Sequence, residues 1–166
     1  MNIGEGSDNS NLSTMRGRDF PAIRQFTVFL ENRVGQLLEV VRRFEGTGIR
    51  VVALSINDSA ECAFVRLVLS DCERGRELLE RAGLAIIETD LLGVELPDGP
   101  QPLLRVCTAL LAAEINIIQA YPLLSRPTGE PAVALMVDNI DLAMETLNNK
   151  GFRIVTEDDL HDDTIE

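Results

Sequence analysis

The feature that most constrains the fold of this 166-residue chain is an internal repeat. The segment LENRVGQLLEVVRRFEGTGIRVVAL, which begins at Leu30, aligns without a gap with LPDGPQPLLRVCTALLAAEINIIQA, which begins at Leu96. In both copies apolar residues recur at i, i+3, i+4 and i+7, the spacing that gives a helix one apolar face. These positions are Leu37, Val40, Val41 and Phe44 in the first copy and Leu103, Val106, Cys107 and Leu110 in the second.

A second pair of segments repeats farther along each copy. LVLSDCERGRELLERAGLAI, which begins at Leu67, aligns with LMVDNIDLAMETLNNKGFRI, which begins at Leu135. Each segment places a Ser or Asp acceptor where a helix begins, and each has a glycine, Gly83 or Gly151, where the helix ends. The chain is therefore a duplication of one unit that contains two helices.

Each unit is predicted to run strand, helix, strand, strand, helix, strand. In the first unit we expect strands at 23–30, 49–56, 62–69 and 84–89, and helices at 36–45 and 72–82. In the second we expect strands at 91–96, 115–123, 132–137 and 152–156, and helices at 102–112 and 140–150. The order βαββαβ is typical of the ferredoxin-like α+β fold, in which two helices cover one face of an antiparallel sheet.

These elements divide the chain into a flexible N-terminal tail (1–21), a first domain (22–89), a second domain (90–157) and an acidic tail (158–166). No Gly/Ser-rich or Pro-rich linker separates the domains. The second strand of a ferredoxin-like unit lies at a sheet edge, and both second strands here, RVVALSI and NIIQAYPL, are apolar. We therefore expect the two units to pack side by side and to cover these edges.

Charge and composition exclude several classes of partner. The net charge of -12 argues against binding nucleic acid through its phosphates. No apolar stretch is long enough to span a membrane, and the first twenty residues have no signal-peptide core, so we expect a cytoplasmic protein with no membrane contact. Six acidic residues fall in the final segment EDDLHDDTIE, which is typical of a solvated tail.

Residues for catalysis are scarce. His161, the one histidine, lies in the acidic tail, so histidine-dependent triads and histidine metal sites are not expected. Asp158 and Asp159 could suggest a cation site, but a solvated acidic run is the better interpretation. Glycine-rich nucleotide loops are absent, and the three cysteines match neither a disulfide framework nor a metal pair. We predict no cofactor, no metal and no enzyme activity.

The segment FLENRVGQLLEVVRRFEGTGIRVVALSI resembles the opening of an ACT domain, a small regulatory module of amino-acid metabolism. That family typically has a strand, then N-x-P-G-x-L, a helix and a second strand. Asn32, Gly35 and Leu37 stand at the matching positions, and Val34 replaces the usual proline. The second copy keeps the helix and the INI strand, but Asp98 stands in place of Asn32 and Gln101 in place of Gly35.

The resemblance implies ligand binding. ACT domains usually pair side by side and bind amino acids at the interface, where the loop after the first strand faces the second strand of the partner. A helix N-terminus also favours a carboxylate on physical grounds, and Gly35 would allow close approach. The simpler alternative is a strand-to-helix turn. The candidate ligand-binding residues are Asn32, Arg33, Val34, Gly35, Gln36, Leu37, Asp98, Gly99, Pro100, Gln101, Asn116, Ile117 and Ile118.

The resulting hypothesis is a non-catalytic regulatory protein that binds an amino acid or similar small metabolite. It would signal to a partner enzyme or through oligomerisation, with a homo-oligomer expected. The alternative is a purely structural or interaction module without its own ligand, such as a detached regulatory subunit of an acetolactate synthase-type enzyme.

Overall fold

The computed structural model describes residues 22–31, 33–58 and 62–161, with Asp58 by its backbone alone. This part of the chain forms seven strands and five helices. The strands are β1 (Ile23–Leu30), β2 (Val51–Asp58), β3 (Ala63–Leu69), β4 (Ile86–Glu95), β5 (Ile117–Pro122), β6 (Ala132–Val137) and β7 (Ile154–Val155). The helices are α1 (Gln36–Arg42), α2 (Cys72–Arg81), α3 (Pro102–Ala112), α4 (Ile140–Asn149) and α5 (Glu157–His161). The predicted N-terminal tail, residues 1–21, lies outside the described residues.

The sheet is antiparallel and runs through both halves in the order β2-β3-β1-β4-β6-β5, with β7 also paired to β4. The predicted α+β fold with two βαββαβ halves is confirmed. The strands expected at 84–89 and 91–96 are one continuous strand, β4. Its first half pairs with β1 and its second half with β6, so one strand is shared by both units.

Alternation along β4 places both pairs of helices on the same side of the sheet. Ile86 packs with the core beneath α1 and α2, whereas Leu92 and Val94 belong to the core beneath α3 and α4. All three residues have even numbers, and side chains two apart in a strand point to the same face. The odd-numbered residues of β4 face the side of the sheet without helices.

The helix-free faces of the two units pack against each other. Their shared core contains Ile23, Val52 and Leu91 from one side and Tyr121 and Leu123 from the other. This contact covers part of each second strand by side-chain packing, namely Val52 and Ala53 of β2 and Tyr121 of β5. Direct backbone pairing between the β2 and β5 edges is limited among the described residues to one hydrogen bond, in which Leu124 N donates to Val52 O at 2.6 Å.

Glycine at position 93 allows β4 to pass close to Ile23 of β1 and Val155 of β7. A Cβ atom on Gly93 would lie 2.4 Å from Cδ1 of Ile23 and 2.7 Å from the backbone oxygen of Val155. Both distances are shorter than real Cβ contacts allow, so only glycine fits between β1 and β7 without a shift of the backbone.

Residues 157–161 are not a solvated tail, so that interpretation is wrong for this segment. They form α5, in which Leu160 is fully buried. Thr156 N donates to Asp159 Oδ2 at 2.8 Å, and Arg50 Nη2 donates to Leu160 O at 3.1 Å. The acidic run hid this helix in the sequence because its arginine partners lie more than a hundred residues earlier. Residues 162–166 lie outside the described part of the chain.

Arg24 fixes α5 to the first unit. Its Nε and Nη2 donate to the two carboxylate oxygens of Glu157 at 2.7 and 3.0 Å, and its Nη1 donates to Glu73 at 2.6 Å. These bonds raise the pKa of Arg24 well above its ordinary value, with the bond to Glu157 as the largest cause. The bidentate geometry makes this a strong type of ion pair.

Candidate functional site

The loop between β1 and α1 contains the first group of predicted site residues. Gly35 is the N-cap of α1 and has a φ of 91°, a left-handed conformation that favours glycine. Val34 is fully exposed. Arg33 is engaged locally by Glu31 at 3.2 Å and Glu39 at 3.1 Å, and these bonds raise its pKa. Gln36 and Leu37, both partly buried, begin α1, and Asn32 lies outside the described residues.

The loop between β4 and α3 contains the second group. Asp98, Gly99, Pro100 and Gln101 are all exposed. The backbone oxygen of Asp98 accepts a bond of 3.2 Å from Arg105 Nη1, and Gln101 is the N-cap of α3. This loop therefore leads directly into a helix N-terminus, as the first loop does.

Helix capping separates these two loops from the other strand-to-helix junctions. In α2 the Asp71 side chain accepts a bond from Arg74 N at 3.0 Å, and in α4 the Asn139 side chain accepts one from Leu142 N at 3.1 Å. The N-caps of α1 and α3, Gly35 and Gln101, make no such bond. The first N–H groups of a helix have no intrahelical acceptor, so the first turns of α1 and α3 have donors available for another partner. The first position of each helix is an exception, because Gln36 N donates to Arg33 O at 3.4 Å and Pro102 has no N–H.

The third group lies at the start of β5. Asn116 and Ile118 are exposed and Ile117 is partly buried. Asn116 N donates to Asp138 Oδ1 at 3.1 Å, and Ile117 lies opposite Val137 in the ladder with β6. The side chain of Ile118 is 59% exposed, so it presents apolar surface at the outer strand.

Sheet register separates the first loop from this strand within one chain. Ile117 of β5 pairs with Val137 of β6. Val137 lies two residues after Leu135, which pairs with Leu92 of β4, so Ile117 is at the level of Asp90 in β4. Asp90 pairs with Arg24. The first loop starts beyond Leu30, six residues farther along β1, which is about 20 Å at the usual rise of a strand. The register therefore does not bring the predicted groups together within one chain.

The structure also shows a polar and aromatic surface that the sequence reasoning missed. The helix-free face of the first unit, called here the open face, consists of three rows of cross-strand neighbours. From the unit junction outwards they are Ala53, Val68, Gln25 and Thr89; then Ser55, Arg66, Thr27 and Ile87; then Asn57, Phe64 and Phe29. Alternation of these residues with the buried Val65, Leu67 and Leu69 was the signal that could have identified them.

The second unit covers the first of these rows. Tyr121 Oη donates to Gln25 Oε1 at 2.5 Å, and Gln25 Nε2 donates to Thr89 Oγ1 at 2.9 Å. Burial raises the pKa of Tyr121, and the positive charge of Arg66 opposes that shift. The outer rows remain partly open, since Phe29 is 41% exposed and Ile87 is 51% exposed.

The described residues give little support for a metal site, a reactive cysteine or a membrane-spanning helix. No group of three His, Cys, Asp or Glu side chains is placed to hold a metal ion there. Cys72 is buried, and burial raises the pKa of its thiol, which disfavours the reactive thiolate. None of the described helices combines the length and apolar character required to cross a membrane.

Comparison with known structures agrees with this architecture. Protein BT0572 from Bacteroides thetaiotaomicron is 26% identical, with a TM-score of 0.76 over 86% of this chain and 97% of that one. The regulatory subunit of aspartate kinase from Thermus thermophilus shares the fold at 14% identity, with a TM-score of 0.52 over 78% of this chain and 93% of that one. The corresponding Thermus flavus subunit is 15% identical, with a TM-score of 0.51 and the same coverage of each chain.

Family comparison identifies the duplicated unit. No functionally curated protein matches the sequence. Residues 21–163 match the family described as the ACT domain pair, which includes both halves of the shared sheet. The chain therefore belongs to the ACT domain pair family.

Proposed function

We propose that this chain is a non-catalytic, cytoplasmic regulatory protein that binds an amino acid or a similar small metabolite. The match of residues 21–163 to an ACT domain pair carries the proposal. The shared fold of the aspartate kinase regulatory subunit is consistent with a regulatory role. The bound state would be passed to a partner enzyme or expressed as a change in oligomeric state.

The two uncapped helices supply the groups for binding. An amino-acid carboxylate could accept bonds from the first N–H groups of α1, where the helix dipole also favours negative charge. Gly35, without a Cβ atom, leaves this end of the backbone accessible, and nothing lies within 4 Å of the place where its Cβ would be. The loop between β4 and α3 offers a second, non-equivalent position at Asp98 to Gln101.

A complete interface site would require two copies of the chain. Register keeps the first loop and Asn116 to Ile118 apart within one chain, so the strand that faces the loop would come from another copy. The outer strands have apolar surface for such pairing, because Ile56 of β2 and Ile118 of β5 are each more than half exposed, as is Leu124 just after β5. This is the basis for proposing a homo-oligomer.

One observation favours the alternative of a purely structural or interaction module. Arg33, the cation of the first loop, is already bonded to Glu31 and Glu39, so its charge is satisfied without a ligand. Val34 also replaces the proline that the family usually has. In this alternative the loops would serve only as turns.

A thermal-shift screen with the twenty amino acids separates the two functions. A ligand that binds only the folded state adds RT ln(1 + [L]/Kd) to the free energy of unfolding, and it therefore raises the midpoint of thermal unfolding. The regulatory proposal expects at least one amino acid to do so at millimolar concentration. If none did, the structural alternative would replace it.

Matched variants locate the site. Val34→Glu adds a negative charge at a fully exposed loop position, and Leu111→Glu adds the same charge at a position of α3 that is 75% exposed. Binding at the first loop predicts that Val34→Glu weakens the shift and Leu111→Glu does not. Asn32→Ala should weaken it as well. Equal effects of the two glutamate variants would remove this loop from the site.

A further inference from the structure

Arg66 stands in the middle row of the open face without a carboxylate partner among the residues that the structure describes. Ser55 and Thr27 lie directly opposite it on the two neighbouring strands. Directly opposed side chains in an antiparallel sheet have Cβ atoms about 5 Å apart, so Ser55 and Thr27 flank the Arg66 side chain on its two sides.

The outer row gives this cation an apolar border. The guanidinium carbon of Arg66 lies 4.7 Å from the centre of the Phe64 ring, a cation–π contact that fixes its position. The rings of Phe64 and Phe29 are 6.3 Å apart. Because Phe29 and Ile87 remain exposed, a positive charge and an accessible apolar surface lie side by side.

Comparison of the two copies shows that the fold does not require these residues. The second unit has Ala134 where the first has Arg66, Ala132 where it has Phe64, and Gly93 where it has Thr27. The register confirms the equivalence, since Thr27 pairs with Arg66 and Gly93 pairs with Ala134. The second unit uses small residues where its helix-free face is buried, whereas the first unit has Arg, Phe and Thr where the same face stays open.

The helix-free face of the second unit, which packs over the first row of the open face, has a further polar group. Gln119 precedes Tyr121 by two residues in β5, and both side chains lie on the helix-free face of the second unit, as the pairing of Gln119 with Met136 shows. The Nε2 atom of Gln119 is buried and has no hydrogen-bond partner. A buried donor without a partner is costly, and a bound acceptor would relieve that cost.

We propose that the open face of the first unit binds a small carboxylate that has an apolar side chain. Arg66 takes the carboxylate, the hydroxyls of Ser55 and Thr27 complete its hydrogen bonding, and Phe29, Phe64 and Ile87 contact the apolar part. The ligand class rests on the proposed function, because apolar amino acids and their relatives belong to it. The position differs from the first loop, so the two sites can be tested separately.

Tyrosine fluorescence gives a local readout, because Tyr121 is the one tyrosine of a chain without tryptophan and is bonded to Gln25 beside this surface. The titrants are L-phenylalanine, L-leucine and their desamino analogues, 3-phenylpropionate and 4-methylpentanoate. We expect a saturable change in emission with at least one titrant. Arg66→Gln should raise its Kd at least tenfold, and Thr27→Val should raise it about threefold.

Arg81→Gln is the matched control, since that side chain is 82% exposed on α2. It should leave Kd unchanged, and Arg66→Lys should fall between wild type and Arg66→Gln. Circular dichroism verifies that each variant is folded. An unchanged Kd in folded Arg66→Gln, or no response to any titrant, would overturn the open-face site.

The outcomes also separate this site from the proposed function. If Val34→Glu abolishes an amino-acid response and Arg66→Gln does not, the regulatory proposal stands and the open-face site fails. If desamino analogues bind through Arg66 but no amino acid binds anywhere, the open-face site stands and amino-acid sensing fails. Loss of an amino-acid response in Arg66→Gln alone supports amino-acid binding and the open-face site, and it removes the first loop from the binding site.

Discussion

The hydroxyl of Tyr121 in β5 donates a 2.5 Å hydrogen bond to Oε1 of Gln25 in β1, although 96 residues separate them. Gln25 is fully buried at the junction of the two units, and the oxygen of its side chain is satisfied by the second unit. The two units are thus joined by a specific polar contact as well as by apolar packing.

Tyr121→Phe should destabilise the protein by about 1–3 kcal/mol, because it leaves a buried acceptor unsatisfied. For a chain of this size that corresponds to a fall in Tm of about 2–4 °C for each kcal/mol. Urea denaturation followed by circular dichroism measures the change. The double variant Tyr121→Phe/Gln25→Leu removes both partners and should lose less than the sum of the single changes. A single variant as stable as wild type would show that the bond contributes little.

Replacement of Gly93 should be more costly than replacement of Gly75. A Cβ atom on Gly75 would meet the movable Leu69 side chain, whereas one on Gly93 would also meet the backbone oxygen of Val155 at 2.7 Å. Gly75→Ala additionally gains about 1 kcal/mol of helix propensity. We expect Gly93→Ala to lose about 1–3 kcal/mol and Gly75→Ala to lose less. The reverse order in chemical denaturation would contradict this account of the junction.

The carboxylate of Glu73 should contribute to the pH dependence of stability. Hydrogen bonds from Arg24 and then Arg76 lower its pKa below the ordinary value of 4.5. A carboxyl group with a lowered pKa stabilises the folded state above its ordinary pKa, and this contribution is lost as pH falls through the folded value. Below about pH 4.5, Glu73→Gln should therefore lose stability less steeply than wild type. The Glu73 side chain is 54% exposed, so the difference should be small and should shrink in high salt.

Side-chain caps should contribute to stability at α2 and α4 but not at α3. Asp71→Ala and Asn139→Ala each remove an acceptor from a helix N-terminus and should cost about 1 kcal/mol. Gln101→Ala removes no capping bond and should stay within about 0.5 kcal/mol of wild type. Thermal unfolding of the three variants tests this order. A similar loss in Gln101→Ala would indicate that α3 has a cap after all.

Local patterns in the sequence predicted much of the fold. Strand β1 and helix α3 have the predicted bounds, because alternation from Ile23 to Leu30 and the Pro102 start signal are purely local. The end of α1 was predicted too late. The apolar stripe continues to Phe44, but the backbone passes into tighter turns in which Arg43, Phe44 and Glu45 each donate three residues back.

Features that depend on distant partners were not predictable. Helix α5 forms because Leu160 has a buried place and Arg24 and Arg50 bind the segment, and none of these contacts has a local signature. The open face was equally hard to predict, because nothing in the sequence distinguishes Arg66 from the other charged residues. That no carboxylate of the described residues pairs with it becomes visible only when all three neighbouring strands are in register. The candidate loops, by contrast, were located by their resemblance to an ACT domain.

Because β4 belongs to both units, the number of residues between the two copies is not free to vary. Insertion of a single residue between Leu91 and Leu92 would shift Leu92 and Val94 to the opposite face of the strand, away from the core beneath α3 and α4. An insertion of two residues would restore the faces but displace the second unit by about 7 Å along the strand. The junction of this duplicated chain should therefore tolerate substitution much better than any change in length.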